Sequence, residues 1–493
     1  MLTLGHVLEA LTGYQSAGGP HIITDVVIDS RLAIPGALFV ALPGERTDGH
    51  GFVSAAFAKG AIAALVQRDL PTPPRPDVSP GGEDAAPARP YHILDLREPV
   101  TYAQASGLQF PVCLRVDDTL KAMQTLAAYW RSRLNPRIVA VTGSVGKTTT
   151  KELIAAVLST RYRTLKSEGN YNNEIGLPLM LLKLTEAHER AVLEMGFYQV
   201  GEIRFLCELA RPHVGVVTNV YAVHLERAGS IENIAQGKAE LIEALPPAPE
   251  GMAVLNYDDP LVYGMRDRTR ARVVTYGLDP AADVWADNIE SLGLGGVHFH
   301  LHYRHEILHL RVPMLGRHSV HTALRAAAVG LGDDLTWQEI VEGLQAIGAT
   351  QLRLVAVTGP DGSLILDDTY NASPESVVAA LNLLQDLAAS GRRVAVLGDM
   401  LELGAQEEVG HRLVGRRARE VAQLLVTVGP RARLIAEEAR DAGLAAEAVV
   451  ELQDSDEALA YLGHHLRRGD VILLKGSRGV RLDRIVPALE VRL

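Results

Sequence analysis

Cysteine is scarce in this chain: Cys113 and Cys207 are the only two in 493 residues. They show no metal-ligand spacing, and Cys207 falls in the helix-like run Glu202 to Ala210, so both read as small core residues in a reducing compartment. Positive charge is not in excess either, with Lys+Arg 48 against Asp+Glu 59 and a formal net charge of −11. That argues against a general binder of nucleic-acid backbone and leaves room for a local basic site. No apolar run reaches the roughly 20 residues that span a bilayer, and the first ten residues lack a basic segment followed by a long apolar one. The expected location is the cytoplasm, with no membrane and no nucleic-acid partner. A Gly-x-Gly-x-x-Gly fingerprint is absent from the strand ends of the C-terminal third, which argues against a dinucleotide domain there.

What the chain does have is Val139-Ala-Val-Thr-Gly-Ser-Val-Gly-Lys-Thr-Thr-Thr-Lys151, an apolar strand leading through a glycine-bracketed turn into a helix. Gly143 and Gly146 let the backbone turn tightly and bring its N–H groups, including those of Ser144 and Val145, close to an anion. The helix opening at Lys147 aims its positive end at the same point. Lys147 adds a mobile charge, the Thr148 hydroxyl suits Mg²⁺, and Thr149 follows in the first turn. The glycine usual five residues before Gly146 is replaced by Val141, so this is a shortened phosphate loop.

At roughly 150 residues per domain the length suggests about three domains. Residues 1–134 open on a short amphipathic helix. Val26 to Arg31 and Pro35 to Leu42 read as strands, Ser54 to Lys59 as a helix, Val112 to Val116 as a strand, and Thr119 to Arg133 as a helix with Leu120, Met123, Leu126, Ala127 and Trp130 on one side. Ser30, Arg31, Asp48 and His50 sit in loops at strand ends that could bind a polar ligand, although such residues taken alone are more often turn residues. Residues 71–90, rich in Pro, Gly, Asp and Ala, read as a flexible insertion. Leu134-Asn-Pro136 breaks the helix and marks the first boundary.

Residues 135–349 alternate apolar strands with helices, the pattern of a mainly parallel sheet. Glu194 closes the buried strand Ala191-Val-Leu-Glu194, at the end where open α/β sheets hold ligands, and is a candidate for Mg²⁺. Glu168-Gly-Asn-Tyr-Asn-Asn-Glu-Ile-Gly-Leu-Pro178, with Asn170 and Asn173, reads as a binding loop. His224 follows the strand Val214 to Asn219, and Lys238 lies on the helix Ile231 to Leu245. His298, His300, His302, His305 and His309 look like a metal cluster. The first three alternate with Val297, Phe299, Leu301 and Tyr303, so a solvated hairpin face is the expected reading.

Residues 350–493 carry a second doubly wound pattern, with strands at Leu364 to Asp367, Arg393 to Leu397, Leu424 to Val428 and Val471 to Leu474, and helices such as Glu375 to Leu387 and Ala405 to Val421. Their carboxyl ends hold Asp367-Asp-Thr-Tyr-Asn371, Gly398-Asp-Met400, Gly429-Pro430 and Lys475-Gly-Ser-Arg478, which should cluster on one rim. The overall class is therefore α/β: an α/β N-terminal domain, a central phosphate-loop domain and a C-terminal Rossmann-like domain.

Thr142 to Thr148, Gly169 to Pro178, Glu194-Met-Gly196 with Gly201-Glu-Ile203, Thr218-Asn219 with His224-Leu225, Lys238, Asp367 to Asn371 and Lys475 to Arg478 together resemble the Mur ligases, over essentially the whole chain. Within that family the likeness is to the branch that adds D-alanyl-D-alanine to a UDP-N-acetylmuramoyl-tripeptide. The resemblance implies a monomeric ATP- and Mg²⁺-dependent amide ligase working through an acyl phosphate. Lys147 would contact the β/γ-phosphates; Thr148 and Glu194 would hold one Mg²⁺, His224 would help hold a second, and Lys238 would be a carbamylated lysine. Asp368 and Tyr370 match positions that contact the ribose and adenine. The N-terminal loops with Ser30, Arg31, Asp48 and His50 would bind the UDP end, and Asn170, Asn173 and Asn371 are further substrate candidates.

Three departures stand out. Ser319 and His321 replace the asparagines found in many members near the adenine, Phe197-Tyr-Gln-Val200 replaces an Ala-Asn-His-Pro stretch, and the 71–90 insertion reads as lineage-specific. A ligase with another amine acceptor, MurE-like or folylpolyglutamate-synthase-like, remains an alternative, although no Asp-Asn-Pro-Arg motif is present. A non-catalytic nucleotide binder is a second alternative, against which the intact Lys147, Glu194, His224 and Lys238 weigh.

Overall fold

The computed structural model describes residues 1–14, 21–44, 47–70, 91–223, 225–346 and 354–491. The 71–90 insertion and His224 lie outside the described residues. The chain forms two compact units: Met1–Ile138 with Arg163–Met195 and Phe205–Arg211, and Val139–Tyr162 with Gly196–Arg204 and Pro212–Leu493.

In the first unit β1 (Val26–Val27), β2 (Leu38–Val40), β3 (Ala63–Val66), β4 (His92–Asp95) and β5 (Val112–Arg115) form a five-stranded sheet in the order β1-β2-β3-β5-β4. All its pairings are parallel. The expected strand Val26 to Arg31 is cut short because Asp29 accepts from the Arg31 N–H and starts a 3₁₀ turn, Ser30–Leu32. Phe39, Val53, Phe57 and Ala64 pack in its core. The helix Thr119–Ser132 is capped by Asp118 and buries Met123, Leu126, Ala127 and Trp130 as its spacing predicts. The Trp130 indole N–H, taken out of water with the ring, donates to the Leu184 carbonyl at 2.9 Å.

The chain then runs through β6 (Arg137–Thr142), whose residues from Val139 onward belong to the second unit, while β7 (Thr164–Lys166) and β8 (Arg190–Glu194) pair in parallel in the first. In the second unit β9 (Val214–Val217), β10 (Met252–Asn256), β11 (Arg272–Gly277), β12 (Val284–Ser291), β13 (Val297–Tyr303) and β14 (Glu306–Val312) extend from β6 in the order β6-β9-β10-β11-β12-β13-β14. Pairing is parallel from β6 to β12 and antiparallel in the β12-β13-β14 meander. Buried β6, β9 and β10 are apolar almost throughout, as a parallel sheet covered on both faces requires.

The C-terminal sheet has β15 (Val355–Thr358), β16 (Leu364–Asp368), β17 (Arg393–Gly398), β18 (Leu424–Val428), β19 (Val449–Leu452) and β20 (Val471–Lys475), in the order β15-β16-β20-β17-β18-β19. Only β15 is antiparallel. Its two faces carry separate cores, one around Leu366, Leu381, Leu397 and Ile435, the other around Val396, Val426, Ile472 and Ile485. This is the doubly wound arrangement expected from the alternation of strands and helices. Among the described residues no helix is long and apolar enough to cross a membrane.

Candidate active site

The phosphate loop leaves β6 at Thr142 and enters the helix Lys147–Ser159 through Gly146, whose φ of 85° suits glycine. Gly143 has a second constraint. A Cβ there would stand 1.8 Å from Thr218 Oγ1, so the loop lies against the end of β9 with no room for a side chain. That neighbouring strand end fixes the loop. Ser144 N–H donates to the Asn219 carbonyl at 3.0 Å and Val145 N–H to Asn219 Oδ1 at 2.8 Å. Thr218 Oγ1 and Asn219 Nδ2 both donate to the Val145 carbonyl, at 2.7 and 3.1 Å. Lys147 Nζ donates to the carbonyls of Gly143 and Ser144 at 2.7 and 3.2 Å, so its ammonium is held over the loop at the helix's positive end.

A buried layer supports the loop. Arg325 donates to Thr150 Oγ1 and lies 5.5 Å from the Tyr276 ring centre, and the Tyr276 hydroxyl donates to the carbonyls of Val217 and Thr218 at 3.1 and 3.0 Å. Burial pushes the Tyr276 phenol well above its ordinary pKa, so it stays a donor.

Ser144, Val145, Gly146, Lys147 and Thr149 line one cavity, and Asp368, Tyr370, Asn371 and Lys475 from the C-terminal sheet line it too. Of the expected rim, Asp368, Tyr370, Asn371 and Lys475 thus line this cavity, while Gly398-Asp-Met400 and Arg478 are not among its lining residues. Lys475, almost fully buried at the end of β20, bridges to Asp368 Oδ2 at 2.7 Å and donates to the Asn371 carbonyl at 3.0 Å. Parallel pairing places Lys475 directly beside Asp368. Thr148 lies in the first turn of the loop helix.

The two departures near the adenine position part company. Ser319 lines the cavity together with His318, whereas His321 turns to Asp258, with Nε2 2.7 Å from Oδ2. Burial pushes the Asp258 carboxyl up, but hydrogen bonds from His321 and from the N–H groups of Leu278 and Asp279 outweigh it and lower the pKa.

Lys238 is buried to 1% on the helix Ile231–Glu243. Its Nζ lies 4.8 Å from the centre of the Phe197 ring. Burial, reinforced by the charge of Lys147, drives its pKa well below the usual lysine value. Phe197, to which the sequence pattern attached no role, is thus the wall of the lysine's chamber. The glycine before the lysine makes room for it, since a Cβ on Gly237 would come 1.9 Å from Phe197.

The remaining sequence candidates belong to the first unit. Glu194 is 1% exposed; its Oε1 accepts from Asn172 Nδ2 at 2.9 Å, and its N–H donates to Ser167 Oγ at 3.1 Å. Asn173 caps the helix Gly176–Leu182 by accepting from Gly176 N–H, while Asn170 is exposed on the preceding turn. His50 is buried, with Asp48 Oδ1 2.6 Å from Nδ1 and the Gln67 N–H donating to Nε2 at 3.0 Å, so its ring ties the loop to β3. Asp48 also pairs with Arg68, and Arg31 pairs with Asp29 at 2.7 Å while Ser30 is buried beneath. Hydrogen bonds from Arg31 hold the Asp29 carboxyl at about 2.

A loop of backbone N–H groups, a lysine on it, and a second parallel sheet presenting Asp368 and Lys475 to the same cavity define an α/β enzyme of the phosphate-loop class. Comparison with known proteins agrees at every scale. "Mur ligase middle domain" matches residues 141–330, "Mur ligase, glutamate ligase domain" residues 352–478, and "Mur ligase family, catalytic domain" residues 22–81. The UDP-N-acetylmuramoyl-tripeptide–D-alanyl-D-alanine ligase of Bacillus subtilis is 35% identical over 95% of this chain and 93% of its own. MurF from Acinetobacter baumannii superposes with a TM-score of 0.79 at 29% identity, covering 99% of this chain and 98% of the other. MurF from Thermotoga maritima, solved in complex with ADP, gives 0.75 at 25% identity, covering 95% and 98%. The chain belongs to the Mur ligase family, and its activity is that of a ligase.

Proposed function

We propose that this chain joins D-alanyl-D-alanine to a UDP-N-acetylmuramoyl-tripeptide at the expense of ATP, in the cytoplasmic synthesis of peptidoglycan precursors. The choice of substrates is carried by the full-length likeness to a relative of that name. The use of ATP is supported by the cavity that Lys147 and Thr149 share with Asp368, Tyr370 and Lys475.

In this reading residues 1–134 form the domain that takes the UDP end through the loops of Ser30, Arg31, Asp48 and His50. Residues 135–349 take ATP, and residues 350–493 close over it and the incoming dipeptide, with Asp368 and Tyr370 against the ribose and adenine. Asn170, Asn173 and Asn371 are assigned to the peptide substrates. A terminal carboxylate oxygen of the tripeptide attacks the γ-phosphorus, the bond to the β-phosphate oxygen breaks, and ADP leaves an acyl phosphate. The dipeptide amine then attacks the acyl carbon, phosphate departs, and the nitrogen gives up its proton. Lys147 balances the charge that builds on the phosphate oxygens. The acyl phosphate must be kept from water, the task assigned to the closing C-terminal domain.

Mg²⁺ would supply charge neutralisation to the phosphates, and the oxygen donors Thr148 and Glu194 suit a hard cation. His224 is the remaining candidate for a second ion. Lys238 fits a carbamate: burial favours its neutral amine, the form that adds CO₂ with formation of an N–C bond and loss of a proton, and the product would carry the anionic oxygens that a hard cation prefers. The enzyme works as a monomer on small-molecule substrates.

The deciding experiment is a substrate panel scored by phosphate release from ATP. Release is expected only with the UDP-linked tripeptide and D-alanyl-D-alanine together; release with a free amino acid in place of the dipeptide overturns the assignment.

A further inference from the structure

The β12-β13-β14 meander carries a cluster that the ligase reaction does not use. Strand β13 pairs with β14 so that His300 stands directly opposite His309, and His298 lies two residues along the same face. One ligand nitrogen from each of the three rings can be chosen so that all lie within 4.8 Å of one another. Ring centres are 3.9 Å apart for His300 and His309, 5.8 Å for His298 and His300, and 6.5 Å for His298 and His309. We propose that His298, His300 and His309 bind one divalent transition-metal ion of the zinc, nickel and copper class.

The geometry is close to what such an ion needs. With metal–nitrogen bonds of about 2.0–2.1 Å, tetrahedral ligand nitrogens sit roughly 3.4 Å apart, a contraction that rotations of these partly exposed rings supply. His300 is already oriented. Asn288 Nδ2 lies 2.9 Å and Asp287 Oδ1 3.6 Å from its Nδ1, which leaves Nε2 for the ion. With Nε2 bound, Nδ1–H donates to the carboxylate or to the amide in its flipped orientation, the outer support that metal-bound imidazoles usually have.

His302 continues the row but is committed elsewhere, with Nε2 3.0 Å from Asp287 Oδ1 and its ring stacked 3.7 Å from that of Trp285. Two carboxylates, Asp287 and Glu290, lie across on β12, and Glu290 pairs with His298. The cation across from His298, Arg311, is turned to the hairpin loop, its Nε donating to the Gly295 carbonyl at 3.1 Å. Three imidazoles select this class of ion over the Mg²⁺ expected at the phosphate site, which prefers oxygen. The ion would tie β13 to β14 at the antiparallel end of the sheet.

The test titrates Co²⁺ into untagged, full-length protein stripped of metal, then displaces it with Zn²⁺. One equivalent should give the visible absorption of a tetrahedral nitrogen-ligated Co²⁺, be displaced by Zn²⁺ and resist excess Mg²⁺. His298→Ala and His309→Ala should each weaken binding by about tenfold or more, while His305→Ala, in the turn outside the cluster, should bind as the wild type does. His309 is exposed, so its variant should fold as the wild type does, which equal metal-free melting temperatures check; His309→Asn replaces it if they differ. Absence of the tetrahedral signal, or equal Co²⁺ affinity in the wild type and the His309 variant, overturns the proposal.

Discussion

Lys238 Nζ lies 4.8 Å from the centre of the Phe197 ring, and Gly237 precedes the lysine because any side chain there would strike that ring. The aromatic wall excludes water from the amine and so sets its chemistry. Lys238→Ala should lower turnover by about a hundredfold or more, with no recovery on adding bicarbonate. Phe197→Ala should admit water, raise the amine's pKa and move the activity optimum to higher pH. Incorporation of ¹³C from labelled bicarbonate, read by NMR, should give one carbamate signal in the wild type and none in Lys238→Ala; near wild-type turnover of that variant would remove the carbamate.

Gly143→Ala should abolish nucleotide binding by displacing the loop from Thr218, since its Cβ would otherwise lie 1.8 Å from Oγ1. Lys147→Ala should leave the loop in place and cut kcat by about a thousandfold, because it removes charge stabilisation rather than the cradle. Binding of a fluorescent ATP analogue separates the two: it should be lost in the first variant and largely kept in the second.

The buried His411 accepts from the Met400 N–H at Nε2, 3.1 Å, and its Nδ1 lies 2.7 Å from the Glu407 carbonyl. Burial lowers its pKa below 6.5 despite the opposing pull of Glu407 and Asp399. The neutral ring's contribution to stability is therefore complete above pH 6.5 and is lost as the pH falls through the folded value. In urea unfolding, the gap between wild type and His411→Gln should narrow from pH 7.5 to pH 5; a constant gap would contradict this.

Asp470 responds in the same direction at a lower pH. It is almost fully buried and accepts from the N–H groups of Arg392 and Arg467, both at 2.9 Å, and from the Arg392 guanidinium at 2.7 Å. Burial alone would raise its pKa, but these bonds outweigh it and lower it below 3.8. Its contribution thus persists throughout the neutral and mildly acidic range and fades only as the pH falls through that lowered value. Asp470→Asn should cost about 3 kcal/mol, measured by denaturant unfolding at pH 7.

Much of the fold was legible because parallel strands buried on both faces write themselves as short apolar runs, as in Val139 to Val141, Val214 to Val217 and Val471 to Leu474. The phosphate loop was legible for a related reason: its glycines, lysine and threonine act through local backbone geometry. Periodicity alone would carry the strand at Val26 on to Arg31, but a single hydrogen bond from the Arg31 N–H to the Asp29 carboxylate ends it early. His50 presented itself as a ligand for substrate, yet both its nitrogens are engaged within the protein, a fact that depends on where β3 delivers Gln67.

By itself, then, the sequence determined the phosphate loop and those apolar strands it named, such as Val139 to Val141 and Val471 to Leu474, since each follows from periodicity or from residues adjacent in the chain. The tertiary structure alone decided which distant groups meet: Thr218 against Gly143, Phe197 over Lys238, Lys475 on Asp368, His321 on Asp258 and His309 opposite His300. Those pairings depend on strand order and register, which short-range patterns do not encode, because the free energy that fixes them comes from burying whole elements against one another.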